Sequence, residues 1–293
     1  MDMKTLNIGE MRVDRVVESE LPIFEPNFLF PDATSETLDP DRHWLEPNFV
    51  DPETGKLIMS FHSYVVRTPH HTILVDTCVG NDKHRPARDF WHQLKNPYLD
   101  DLARMGVHAE EVDFVMCTHL HVDHVGWNTR LVDGRWVPTF PNARYVFARE
   151  EYAFWEAQRA KGEKVNHGSF DDSVLPVVEQ GQAVMVESDH AMEDGIWLSA
   201  APGHTPGNIV INLESGNDSA VMCGDTIHHA AQMAHPEWSS RFCEDPDLSQ
   251  QTRRALIEQL ADTKTHLLAA HFPTPVAGHI VRHENAFRFA AAT

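Results

Sequence analysis

Four residues able to bind a transition metal fall within six positions, in the run His119-Leu120-His121-Val122-Asp123-His124. Side chains at these spacings cannot all point one way on a regular helix or strand, whereas on a loop they can. There, His119 and His121 can grip one ion while Asp123 and His124 turn toward a second. Imidazole nitrogen and carboxylate oxygen suit zinc, with iron, manganese and cobalt as alternatives. Two ions about 3.5–4 Å apart can share a water and lower its pKa from about 15.7 toward 7, which makes a bridging hydroxide available as nucleophile near neutral pH. Asp123 beside it could hold or shuttle the proton. No Ser or Cys nucleophile is required, and the chain contains neither GxSxG nor a papain-like Cys setting.

The pattern around the run places it at the exit of a strand. Residues 112–116 are a short apolar stretch leading straight into Thr118-His119, after a helix spaced by Leu99, Leu102 and Ala103. Three further candidate ligands stand at other strand ends. His204 lies in Pro202-Gly203-His204-Thr205-Pro206-Gly207, Asp225 follows the apolar run 220–223, and His271 closes the strand 265–270. Residues 8–17 read as a strand and residues 20–44 as a long aromatic loop. Residues 61–66 and 72–75 form a hairpin that ends at Asp76. Residues 145–147 read as a strand, 149–159 as a helix and 161–172 as a polar connection. A helix capped by Asp247 or Ser249 precedes the last strand. Strands come first, then mixed strand and helix, twice over, which predicts two sheets with helices outside.

Composition narrows the function classes. A chain of 293 residues that is 42% hydrophobic can bury a core throughout, and a single domain over 1–293 is expected. Net charge is −20 with no basic cluster, so nucleic acid is an unfavourable partner. The sequence has no apolar run long enough for a membrane span and no signal-peptide core, and a cytoplasmic, soluble protein is expected. Cys78, Cys117, Cys223 and Cys243 form no CxxC pair and read as buried thiols. The 20 histidines are many for this length, but His62, His190, His229 and His235 are read as non-ligands.

The order HxHxDH, then GHTPG, then Gly224-Asp225 after a strand, then His271, resembles the metallo-β-lactamase superfamily from Tyr64 to His271. The resemblance implies an α/β fold, a four-layer αβ/βα sandwich with the site at one edge. It further implies one ion held by His119, His121 and His204, another by Asp123, His124 and His271, and Asp225 bridging two zinc ions. Asp76 resembles the buried aspartate that the superfamily places behind its ligands.

Ligand identity separates subfamilies. A Glu in place of His121 would have pointed to redox-active diiron members. The bridging Asp225 disfavours β-lactam hydrolysis, and the short segment 272–293 has no room for the helical domain of glyoxalase II enzymes. Lactonases acting on acyl-homoserine lactones often carry a Tyr three residues after the bridging Asp. Here that position is His228, and the string from Gly224 to Gln232 is more similar to the methyl parathion hydrolase group.

Three residues are therefore expected in catalysis: Asp123, Asp225, and His228 as a stand-in for the Tyr. The expected function is a dinuclear-metal hydrolase (lactonase or esterase type) cleaving a small apolar lactone or ester. Phosphotriester hydrolysis is the alternative; β-lactam hydrolysis, an iron-dependent thiol oxygenase and a metal-binding sensor without turnover rank below it. Aromatics such as Phe24, Phe28, Phe30, Trp44, Phe90, Trp91, Trp155, Trp238 and Phe242 could line an apolar pocket for this small-molecule substrate. The loop over about 20–50 covers either its own site or that of a homodimer partner.

Overall fold

The computed structural model describes residues 5–162 and 165–292, and divides them into two compact units, each built from separated stretches of chain. One comprises Thr5–Glu18 and Phe61–Ser188; the other comprises Ser19–Ser60 and residues 189–292.

Seven strands form the first sheet: β1 (Leu6–Ile8), β2 (Met11–Phe24), β3 (Leu57–Arg67), β4 (Thr72–Val75), β5 (Phe114–Met116), β8 (Arg144–Ala148) and β9 (Ala183–Val186), adjacent in that order. A separate hairpin joins β6 (Thr129–Val132) to β7 (Arg135–Pro138). The centre is parallel, β4 to β5 to β8 to β9. Its strands carry near-continuous apolar runs such as Ile73-Leu74-Val75, because helices and loops cover both faces of such a sheet. Helix α1 (Tyr98–Arg104) and helix α2 (Arg149–Ala160) supply connections. Their apolar sides join Val65, Leu74, Val115, Tyr145, Phe147 and Phe170 in one core. The short parallel strands end at Val75 and Met116, so Asp76 and the run from His119 emerge from adjacent carboxyl ends, where open α/β sheets place their ligands.

The second sheet runs β10 (Ala191–Glu193), β11 (Ile196–Ala200), β12 (Ile209–Ser215), β13 (Asp218–Met222), β14 (His266–Leu268), β15 (Ala277–His283) and β16 (Ala286–Ala291). Only β13 and β14 pair in parallel, and helix α3 (Pro246–Leu260) makes the crossover between them. Asp225 and His271 follow these two strands at the same end of the sheet. His204 sits in the turn from β11 to β12.

Several expected boundaries are corrected. Strand β2 continues to Phe24, beyond residue 17, and the loop after it is broken into short helical turns at Pro26–Leu29, Ser35–Leu38 and Arg42–Leu45. The helix α3 cap is Asp245 rather than Asp247 or Ser249. Its carboxylate accepts from Leu248 N at 2.9 Å, with Pro246 in the first turn where its missing N–H costs nothing. The connection over 161–172 holds helical turns at Val165–Gly168 and Phe170–Val174, while Glu163 and Lys164 lie outside the described residues. The β15–β16 hairpin was not expected at all; its alternation of buried Phe287 and Phe289 with less buried neighbours is a period-2 signal.

Backbone packing fixes the loops around the motif. Gly126 N donates to Cys78 O and Trp127 N to Thr77 O, each at 2.8 Å. A Cβ on Gly126 would lie 1.8 Å from Val79 O. Buried Glu18 ties the same two segments together, accepting from Val79 N, Gly80 N and Trp127 Nε1 at 2.9, 3.0 and 2.7 Å. In the other unit, His229 holds the segment before β3. Its Nε2–H donates to Phe49 O at 2.8 Å and its Nδ1 accepts from Ala231 N at 3.2 Å, which is the neutral imidazole in one tautomer. Burial pushes its pKa down to about 4.

Two predictions follow from these contacts. Gly126→Ala should destabilise the fold by more than about 2 kcal/mol, read as a lower urea midpoint, because backbone rather than a flexible side chain must move. For His229, the unfolded chain takes up a proton below about pH 6.5 that the folded chain refuses until about pH 4. Stability should therefore fall across that window. His229→Gln, which keeps a donor but does not titrate, should flatten the fall between pH 7 and 4.5 in urea melts.

Candidate metal centre

Asp76, in a left-handed conformation at φ 55° after β4, is buried and accepts three hydrogen bonds. Thr118 N reaches Oδ1 at 2.8 Å, while Thr118 Oγ1 and His124 Nδ1 reach Oδ2 at 2.8 and 2.9 Å. With its hydroxyl proton given to Asp76, Thr118 Oγ1 accepts from His119 Nδ1 at 3.1 Å. One carboxylate thus sets the tautomer of two imidazoles. Both carry the proton on Nδ1, which leaves Nε2 of each as the nitrogen that could bind a metal.

His121 is oriented differently. Its ring meets Trp155 of α2 edge to face, with centroids 5.3 Å apart, and lies 4.8 Å from the ring of His119. Asp123 is only partly buried and its Oδ1 lies 3.9 Å from His124 Nε2.

The later residues converge on Asp225, which is 4% exposed. Asp225 Oδ2 is 3.2 Å from His204 Nε2, and Oδ1 is 3.1 Å from His271 Nε2. His271 Nδ1 donates to Ser60 O at 3.0 Å. His204 Nδ1 faces Cys243 Sγ at 3.6 Å, and Cys243 in turn donates to Ser249 Oγ. With Nδ1–H committed in this way, each Nε2 turns a lone pair toward a carboxylate oxygen. A cation between the two acceptors satisfies both, so this donor set fits a metal.

His119, His121, His204 and Asp225 offer ligand atoms within 4.8 Å of one another, and so do Asp123, His124 and His271. All seven expected ligand positions fall in one of these two groups. Among the described residues His62, His190, His229 and His235 join neither. His235 instead stacks on Trp238 and pairs with Asp41 at 2.9 Å.

His228 is buried, with Nε2 3.3 Å from Asp225 Oδ2 and its ring 4.7 Å from that of His204. Burial lowers its pKa, against the opposing pull of Asp225. Gln232 holds the turn, its Oε1 accepting from the backbone N–H of His228 and His229 at 2.7 and 3.2 Å. The thiols of Cys78, Cys117, Cys223 and Cys243 are all pushed up by burial, Cys243 to about 11, so none supplies a thiolate nucleophile at neutral pH. Phe24, Phe28 and Phe242 form one aromatic cluster, with centroids 5.3–6.3 Å apart.

Sequence reasoning missed Glu18, Glu151, Asn166, Gln232 and Cys243. All but Gln232 act through a hydrogen bond to a backbone or ring distant in sequence, and no local spacing betrays those. Gln232 came nearest, four residues after His228 on the turn it closes.

The metallo-beta-lactamase superfamily model matches residues 62–284. A probable metallo-hydrolase of Mycobacterium tuberculosis is 27% identical over 57% of this chain and 57% of its own, so the chain spans little more than half of that relative. An N-acyl homoserine lactonase of Bacillus thuringiensis subsp. kurstaki is 25% identical over 74% of this chain and 83% of its own. Among solved structures, the hydrolase AbOPH aligns over 100% of this chain and 98% of its own at TM-score 0.82 and 25% identity. AidC, a dizinc quorum-quenching lactonase, aligns over 100% and 98% at TM-score 0.79 and 22% identity, a likeness of fold. With the HxHxDH run, the later His and Asp residues and a family match over most of its length, the chain belongs to the metallo-β-lactamase superfamily, and its mixed α/β sheets are those of that fold.

Proposed function

We propose that the chain is a dinuclear hydrolase that opens a small, apolar lactone or ester. The observation that carries this reading is Asp225, whose two oxygens each face an imidazole from a different ligand group. His119, His121 and His204 would hold one zinc ion, Asp123, His124 and His271 the other, and Asp225 would serve both. Bound ions of this kind acidify a shared water and polarise a carbonyl oxygen.

The chain's own side chains do the rest. Asp123, the least buried of the carboxylates, accepts the proton of the attacking water and returns it to the leaving alkoxide as the acyl–oxygen bond breaks. To His228, whose Nε2 lies 3.3 Å from Asp225 Oδ2, we assign the donor that meets the oxygen gaining negative charge. The cluster of Phe24, Phe28 and Phe242 offers apolar surface for an acyl or aryl group. The substrate class is supported by the lactonase relatives. The second reading, phosphotriester hydrolysis, is favoured by His228 in place of the Tyr of many lactonases. Four free cysteines suit a reducing cytoplasm, and among the described residues no helix is long and apolar enough to cross a membrane. We place the protein there, acting on a small molecule as a monomer or homodimer.

Elemental analysis of purified protein should find two zinc equivalents per chain. Assays should show acyl-homoserine lactones or aryl esters turned over faster than paraoxon-type triesters; turnover of triesters alone would invert the ranking. His121→Ala and Asp225→Ala should each lose activity by roughly 100-fold or more together with bound metal, whereas a sensor without turnover would keep the same low rate. Asp76→Asn should lower metal affinity roughly 10- to 100-fold, because an amide N–H facing His124 Nδ1 forces the proton onto Nε2. Chelator competition measures that loss, and unchanged affinity would remove Asp76 from the role given to it.

A further inference from the structure

The loop that carries the HxHxDH run is held at its backbone by a side-chain amide that belongs to no catalytic motif. Asn166 Oδ1 accepts from Val122 N at 3.1 Å, and Asn166 Nδ2 donates to Leu120 O. These two groups flank His121 on either side. A parallel strand neighbour would bond the same pair, donating to the carbonyl before the central residue and accepting from the N–H after it. The Asn166 amide therefore replaces the N–H and C=O of one residue of a missing strand opposite His121. A third bond completes the hold: buried Glu151 Oε1 accepts from Leu120 N at 2.9 Å and from Trp155 Nε1 at 2.7 Å. Trp155 is the residue whose ring packs against His121.

Asn166 reaches the loop from a strained backbone. Asn166 has φ 48° and ψ 48°, and His167 has φ 55° and ψ 15°. Non-glycine residues adopt this region rarely, asparagine more readily than most, and surroundings that over-determine the conformation must offset its cost. Here they do. Buried Arg85 donates to His167 O at 3.2 Å and clamps Asp172 through two bonds of 2.7 and 2.8 Å. Buried Lys83 donates to Asp172 O at 3.2 Å and to Thr129 Oγ1 at 2.6 Å.

We infer that Asn166, backed by Glu151, is a positioning residue for His121, so that it sets how well the ion of the His119, His121, His204 and Asp225 group is held. This inference rests on the dinuclear reading above. Chelator competition on Asn166→Asp and Asn166→Ala tests it, against wild type and the control Asp171→Asn, an exposed residue of the strap formed by the connection over 161–172. The aspartate keeps the size and the left-handed backbone but sets an oxygen against Leu120 O. Both variants should bind one of two ions roughly tenfold or more weakly, with the other ion unchanged. In metal-free protein, hydrogen exchange at Val122 N–H should accelerate in Asn166→Ala, while the melting temperature of Asn166→Asp, which keeps the left-handed backbone, stays near that of wild type. Glu151→Gln, which keeps a carbonyl acceptor for Leu120 N, should preserve affinity, and Glu151→Leu should not. Equal affinity of both ions in the Asn166 variants and wild type overturns the inference. So does equal weakening of both ions with a lowered melting temperature, which marks the strap as a general support of the fold. Wild-type protein that binds fewer than two ions fails the dinuclear reading itself, a result separate from any difference between variants.

Discussion

Two histidines of the candidate metal centre, His119 and His124, hang on one buried carboxylate. Asp76 has nowhere to send its charge except into Thr118 N–H, the Thr118 hydroxyl and His124 Nδ1–H. An acceptor so enclosed must be fully bonded, because each unmet bond would cost on the order of 1–3 kcal/mol. The requirement works in both directions. The carboxylate holds the imidazoles in one tautomer, and the backbone that brings Thr118 beside it is the pairing of β4 with β5. Parallel register between Val75 and Met116 is thus a statement about proton positions on His119 and His124.

Much of this was legible in the sequence, for a reason that lies in periodicity. Apolar runs of three to five residues, each stopping at Asp, His or Gly, mark strand ends, and the candidate ligands at 119, 204, 225 and 271 all stand where such runs stop. The boundary errors have equally local causes. Glu18 interrupts the apolar pattern of β2, so the strand reads as ending at residue 17, although the glutamate is buried by three donors from distant loops. The sequence places the helix cap at Asp247 or Ser249, whereas Pro246 is well suited to the first turn and Asp245 before it is the cap.

What the sequence hid is the layer behind the ligands. Asn166 sits in a polar stretch whose composition reads as a connection, and its value comes from bonds to Leu120 and Val122 more than 40 positions away. Hydrogen bonds of that span leave no periodic trace. Left-handed backbone at a residue other than glycine is visible only in coordinates, and at Asp76 and Asn166 it coincides with a side chain that orients the motif. Gly126 is the opposite case: a residue type recorded plainly in the sequence, whose necessity appears only when Val79 O is found where its Cβ would be.

The supports behind the histidines are chemically unequal, and that inequality runs between the two groups. His124 leans directly on a carboxylate and His271 on a carbonyl, and their group also contains the carboxylate of Asp123. In the other group His119 reaches the same carboxylate only through a hydroxyl, and His204 leans on a thiol, a weak acceptor. Stronger acceptors behind an imidazole make its other nitrogen more basic. Asp225 offers one oxygen to a histidine of each group. The donor strength on the two sides of that carboxylate therefore differs, although the imidazoles facing it are chemically alike.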